Sequence, residues 1–312
     1  MQLVDFNAAK RLNRFYGGAA GRKVAIEYQG IPWMLKYPET TAGMRGNLAS
    51  YTTSPVSEWL GSHVYELVGI PVHETVLGFS EGKVVCACRD FAWPDKELIE
   101  FRMLKNSLSD DGSAGFSQRP SDGRVLLLSD VLTSLDSLGS VYSSQALRER
   151  FWDMFIVDAF IGNKDRNNGN WGLLSKSGEI LGLAPVYDNG NSFFNKRKAS
   201  TNELRSQDAN LLEQDAVGTC VSVYTKDDGR YVKPFEYIAS AMDAECNKAL
   251  DRFMRKLDMD AVVALVDQLP CEVLNFSVLD KRTKEFTKKV LVERYEKALL
   301  PAWDAAKGCL RN

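Results

Sequence analysis

The sequence predicts an α+β chain in two lobes, a small β-rich one followed by a larger, mostly helical one. Three observations predict it. Two glycine-punctuated strand runs fall between residues 14 and 37, two further runs lie between 70 and 91, and beyond residue 143 apolar residues recur at helical spacing. The division is expected at residue 91, giving lobes 1–91 and 92–312. With 312 residues, 45% of them apolar, the chain is long enough to fill two cores.

The totals also exclude. Net charge is −2, from 39 basic and 41 acidic residues, so there is no cationic excess to face nucleic-acid phosphates. No apolar run approaches the roughly 20 residues that span a bilayer. The start, MQLVDFNAAKRL, lacks the apolar core and small-residue cleavage site of a secretory signal. A cytoplasmic chain with neither nucleic-acid nor membrane partner is expected, a non-classical route of secretion staying open. The six cysteines (Cys86, Cys88, Cys220, Cys246, Cys271, Cys309) form no CxxC pair, and only His63 and His73 are available beside them. Reduced, packed thiols are expected, and no zinc site. Cys86 and Cys88, two apart on a strand, share a face in poor geometry for bonding to each other.

Residues 1–13 read as an irregular or helical lead-in. RFYGGAAGRKVAIEYQGIPWMLKYPE follows, with Gly17, Gly18 and Gly21 in five residues, the run Val24–Tyr28, a Gln29-Gly30 turn and the run Pro32–Tyr37. Glycine-rich turn, strand, tight turn and strand make a hairpin, and glycines let backbone N–H groups approach phosphate oxygens closely. Lys36 is a charge in an otherwise apolar strand, on the face opposite Leu35 and Tyr37. It either faces solvent at a sheet edge or has a partner, such as nucleotide phosphates. A polar loop over 40–54 leads to a helix with Ser54 as N-cap, Pro55 at the first position and Glu58 in the first turn, ended by Gly69. Glu58 and Glu66 are both candidates to pair with Lys36, and Glu58 is preferred.

Residues 70–91 complete the small sheet, and Cys88, Asp90 and Phe91 fall where a linker should offer backbone groups to an adenine ring. The Ser/Asp/Gly-rich stretch 106–123 reads as a loop. A helix capped by Ser143 or Ser144 then runs to about Gly162, its stripe of Leu147, Phe151, Met154, Phe155 and Phe160 serving as core.

The chemistry concentrates in Phe160–Phe194, FIGNKDRNNGNWGLLSKSGEILGLAPVYDNGNSFF. Asp165 is followed five positions on by Asn170. Asp188 comes after two strand-like pieces, Trp171–Leu174 and Ile180–Val186, joined by the turn 175–178. A loop acid, an amide and a second acid across a hairpin suit phosphoryl transfer. Asp165 orients or deprotonates the attacking hydroxyl, while Asn170 and Asp188 hold Mg²⁺ against the nucleotide phosphates. Beyond it, residues 196–206 are basic and hydroxyl-rich, either a substrate or regulatory segment or an exposed loop. The remainder reads as helices over 234–242, 243–257, 259–269 and 280–299.

With Lys36, Asp165, Asn170 and Asp188 in place, the chain resembles the HipA-like Ser/Thr kinases, and among them the short, stand-alone CtkA-type members. The segments that carry the likeness are YGGAAGRK, WMLKYP, SEWLGSHVYELVGIPV, FIGNKDRNNGNWGLL, PVYDNGNSFFNK and the basic KEFTKKVLVERYEKALLPAWD. The resemblance implies a two-lobed protein-kinase-like fold and ATP- and Mg²⁺-dependent transfer to Ser or Thr of a protein, the chain itself included. Lys36 would bind phosphates, Asp165 serve the hydroxyl, and Asn170 and Asp188 bind metal. With about 13 residues before the glycine loop, an antitoxin partner is not expected, and a monomer is. Lys164 stands before Asp165 in place of the aromatic or His-Arg lead of eukaryotic kinases, with Arg166 following as in lipid-kinase-like relatives; Asn189-Gly190 follows Asp188 in place of Phe-Gly, and the glycine loop has no Ser or Thr. A lipid or small-molecule kinase of the same superfamily, or a nucleotide-binding module without catalysis, are the competing functions.

Overall fold

A computed structural model describes residues 1–17, 21–109 and 126–310. Six strands build the small sheet: β1 (Val4–Asp5), β2 (Lys10–Arg11), β3 (Lys23–Tyr28), β4 (Ile31–Lys36), β5 (Thr75–Ser80) and β6 (Lys83–Arg89). Their order is β1-β5-β6-β4-β3-β2, antiparallel except for the β1–β5 pair. The lead-in is therefore strand, not helix. Lys10 and Arg11 pair with Glu27 and Ile26, and Val4 runs beside Gly78. A side chain at Gly78 would strike the Val4 carbonyl and the Phe6 ring at 2.3 Å, so only glycine admits that edge strand. The β3–β4 turn carries Gln29 and Gly30 at φ 52° and 74°, the two-residue geometry that matches strand twist.

Alternation divides the sheet into two faces. Ile26, Trp33, Leu35, Tyr37, Val85 and Ala87 pack with Phe6 on the outer face. Met34, Lys36, Cys86 and Cys88 point the other way, toward α1 (Ser54–Leu67). That helix starts one residue ahead of expectation, with Thr53 at the cap position. Ser54 lies inside it, its hydroxyl paired with Thr52 Oγ1 at 2.8 Å instead of capping. Gly69, at φ 70°, follows its end as foreseen.

The larger part begins with β7 (Glu97–Glu100) and α2 (Phe101–Ser109). Residues 106–109 are thus helical, not loop, and the rest of the serine-rich stretch lies outside the described residues. β8 (Leu126–Leu127), α3 (Leu128–Ser137) and α4 (Ser144–Ile161) come next. Ser143 Oγ accepts from Ala146 N at the start of α4, and Gly162 at φ 72° closes it. The hairpin is β9 (Gly172–Lys176) and β10 (Glu179–Leu183), shifted from the expected pieces because Ser177 and Gly178, at φ 52° and 86°, make a two-residue turn. β7 adds a third strand, and Gly172 lets its backbone approach: a Cβ there would lie 2.1 Å from Ile99 O.

Residues 199–207 form α5 (Ala199–Gln207), not an exposed basic loop, because Arg197 and Arg205 both clasp the buried Asp215. Then follow α6 (Ala209–Glu213), β11 (Tyr224–Thr225), α7 (Pro234–Ala239), α8 (Ala244–Lys256), α9 (Met259–Asp267), a two-strand hairpin β12–β13 (Glu272–Val273, Phe276–Ser277), α10 (Lys281–Arg294) and α11 (Leu300–Leu310). One apolar core runs from Leu77 and Cys86 through Val56, Leu60 and Val64 of α1 into Phe151, Phe155 and Phe160 of α4 and Leu250 of α8. α1 thus belongs to both lobes. No helix among the described residues is long and apolar enough to cross a membrane.

Candidate active site

α4 ends in its glycine cap, and the next residues bond to one another so tightly that the loop has little freedom. Asn163 donates to Asp158 Oδ1 at 3.0 Å and accepts from Asp165 N at 3.0 Å. Asn167 donates to Asp165 Oδ1 at 2.9 Å, and Asn170 Nδ2 donates to the Asp165 carbonyl at 2.6 Å. Asp165 is thereby fixed in position and direction. Burial, opposed by the Asn167 hydrogen bond and reinforced by the Asp188 charge, raises its carboxyl above the usual aspartate value. A carboxylate shifted this way accepts a proton more readily than a solvated one.

Across the cleft, Lys36 reaches down from the sheet. Its Nζ donates to Glu58 Oε2 at 2.9 Å and to Asp188 Oδ1 at 2.8 Å. Glu58 is the partner, as preferred from the sequence; Glu66 is mostly exposed, 4.0 Å from His63. Burial opposes the Lys36 charge, but Asp188 and Glu58 outweigh it and hold the ammonium well above its usual value. Burial likewise opposes the Glu58 charge, yet Lys36 and the adjacent His73 imidazole bring its carboxyl below the usual glutamate range. Asp188 sits at φ 62°, a backbone conformation uncommon for a side-chain-bearing residue, and its carboxylate is one-third exposed. Gly190 follows because a Cβ there would lie 3.0 Å from Glu58 Oε2.

Two cavities meet at the Lys36–Asp188 pair. One, of about 440 Å³, is lined by Tyr16, Gly17, Lys36, Asp90, Phe91 and Asn170 among others. The second, of about 270 Å³, holds Gly21, Lys23, Asp165, Asp188 and Lys196. Every site residue named from the sequence except Gly18, which lies outside the described residues, is in or beside one of them.

Two of the three linker expectations need correcting in detail. Cys88 is not in the linker: it pairs with Met34 and Thr75 inside β6, so its backbone belongs to the sheet and its thiol faces the rear of the cavity. Asp90 has its side chain taken, by the Arg14 guanidinium at 2.6 Å and the Tyr16 hydroxyl at 3.1 Å, and its N–H donates to Pro32 O. It therefore latches the lead-in across the cavity mouth. Phe91 does lie in the linker, its ring 5.6 Å from that of Tyr187.

The sequence reading missed the residue that orders the loop. Arg166 is buried, and its guanidinium donates to both oxygens of Asp158, to Asn189 Oδ1, and to the carbonyls of Asn170 and Tyr187. One side chain thus ties α4 to the residues flanking both metal candidates. Tyr65 of α1 adds its hydroxyl to Asp158 Oδ1 at 2.8 Å. The signal was present in an arginine beside the catalytic aspartate and an acid on an apolar helix. Their meeting depends on tertiary structure.

A sheet lysine paired with a helix glutamate, over a loop aspartate and a hairpin aspartate, defines a protein-kinase-like two-lobed architecture. Comparison with known proteins agrees. The chain is 28% identical over 309 residues to the serine/threonine-protein kinase CtkA of Helicobacter pylori, covering 96% of this chain and 87% of that protein. The crystal structure of the Helicobacter pylori proinflammatory kinase CtkA superposes with a TM-score of 0.85 at 26% identity, over 98% of this chain and 99% of that one. HipA, in a Shewanella oneidensis toxin–antitoxin complex with HipB and operator DNA, shares the fold at a TM-score of 0.54 and 14% identity, over 96% of this chain and 67% of that one. No protein-family model matches the sequence. The HipA-like, CtkA-type resemblance read from the motifs holds over nearly the whole chain.

Proposed function

We propose that this chain is an ATP- and Mg²⁺-dependent protein Ser/Thr kinase of CtkA type that also phosphorylates itself. The observation that carries the reading is Lys36, held between Glu58 and Asp188 where the two cavities meet. The larger cavity has the volume of a small-molecule site, and the likeness to CtkA supplies the reaction class.

The residues fit the groups assigned to them. Asp188 offers a partly exposed carboxylate. Asn170, whose amide N–H₂ is spent on the Asp165 carbonyl, has its side-chain oxygen left to give. Such hard oxygen donors suit Mg²⁺, which when bound neutralises charge on the phosphates. Lys36 exchanges its bond to Asp188 for phosphate oxygens and keeps its bond to Glu58. Gly17 and Gly21 flank the phosphates, and Phe91 with Tyr187 walls the base. Asp165 faces the smaller cavity, where the acceptor hydroxyl enters and gives up its proton.

Mass spectrometry of the purified chain after incubation with Mg-ATP, alone and with a protein mixture, tests this. Phosphoserine or phosphothreonine is expected, and its absence in Asp165→Ala. Phosphorylated lipid headgroups without phosphoprotein would move the chain to the lipid-kinase class. Bound ATP with no product would make it a nucleotide-binding module.

A further inference from the structure

Behind the Lys36 pair lies a second set of donors that the phosphotransfer reading leaves unused. Glu58 Oε1, His73 Nε2 and Cys88 Sγ all lie within 4.8 Å of one another, and all three residues are buried. They come from three elements: α1, the segment before β5, and β6. Glu58 Oε1 and His73 Nε2 face each other at 2.9 Å, and neither atom has a further hydrogen-bond partner. Cys86 Sγ is 3.9 Å from Cys88 Sγ on the same strand face. His73 and Cys88 line the 440 Å³ cavity, so an ion can reach them from the cleft.

We propose that Glu58, His73 and Cys88 form a three-ligand binding site for a soft divalent cation of the zinc type. Zinc takes sulfur at about 2.3 Å and nitrogen or carboxylate oxygen at about 2.0–2.2 Å. Donors sharing one ion therefore sit roughly 3–4 Å apart; here the oxygen and nitrogen are 2.9 Å apart and all three atoms lie within 4.8 Å of one another. A thiolate and an imidazole select zinc or cobalt over magnesium, whose preference is for oxygen. Sequence spacing gave no hint of this, since it looks for ligands clustered along the chain. Here 30 residues separate the outermost two, Glu58 and Cys88, and the sheet and helix bring them together. The site uses the carboxylate oxygen that Lys36 does not. A cation on Oε1 shares the Glu58 charge with the lysine and weakens that pair, so occupancy slows phosphotransfer.

Cobalt(II) titrated into the reduced, full-length, nucleotide-free chain is the probe. One equivalent should bind with a thiolate-to-cobalt charge-transfer band, and zinc should displace it. A Cys271→Ser/Cys309→Ser background should keep the band, Cys88→Ser should lose it, and His73→Gln should weaken binding at least about tenfold. Circular dichroism shows which variants fold, and either of the last two is sufficient alone. No thiolate band in the parent chain, or a band unchanged in Cys88→Ser or His73→Gln, overturns the site. The readout needs no turnover, so its failure leaves the kinase reading untouched, and loss of kinase activity says nothing against it.

Discussion

Two buried ion clusters stand either side of the catalytic loop, and they are built differently. Around Arg166 every donor is used, and the pair it makes with Asp158 is nearly sealed. Around Lys36 the ammonium makes two bonds, one to a carboxylate that is itself one-third exposed and backed by a cavity on each side. Both are arrangements of cations and carboxylates in low dielectric. A closed and satisfied network holds elements in register, whereas an open one has contacts it can exchange for a ligand's.

The sharpest way to break that comparison is to neutralise one acid of each cluster. Asp188→Asn should abolish phosphotransfer while leaving thermal stability near that of the parent chain, since asparagine tolerates φ 62° and no sealed charge is orphaned. Asp158→Asn should instead destabilise by about 3–5 kcal/mol, because Arg166 would be left buried without its counter-charge. Similar unfolding midpoints for the two variants would erase the distinction. Asp165→Asn should lower kcat by about 10²–10⁴-fold yet raise stability at neutral pH. The sign follows from the raised carboxyl of the folded state. The folded chain disfavours the charge, so ionisation is destabilising once the pH exceeds the unfolded value. Below both values the folded and unfolded states are equally protonated, and the stability gain disappears. The same shift puts the acid limb of the pH–rate profile above the ordinary aspartate range, and Asn167→Ala, which removes a hydrogen bond that lowers it, should move the limb higher still. The smallest effect is expected at Gly190. Gly190→Ala crowds Glu58 and should reduce kcat modestly with KM for a peptide acceptor unchanged, measured by steady-state kinetics.

Much of this was legible in the chain. Lys36 stood out because a charge in an apolar strand requires a partner. The Asp165–Asn170–Asp188 spacing carried a mechanism. The Ser143 cap and Gly162 stop bounded α4 closely, since local hydrogen bonds decide helix ends. What could not be read were choices made by distant residues. Residues 4–5 and 10–11 became strands because the sheet had edges to cover. The basic stretch 196–206 folded onto Asp215, whose burial no local pattern announces. Glu58 and Glu66 were separable only once the sheet fixed where Lys36 would reach.

The anchoring of α1 has one more consequence. Ser57 Oγ donates to Ser192 O, Asn189 donates to Ser62 Oγ, and Tyr65 reaches Asp158, so this helix is stitched along its length to the catalytic half as well as packed beneath the strands. A rod fastened at three points to the floor cannot also be a lever in the ceiling. The lysine–glutamate couple is assembled by folding itself, so turnover is not controlled by swinging α1 away; control acts through what occupies the cleft and the donors behind it.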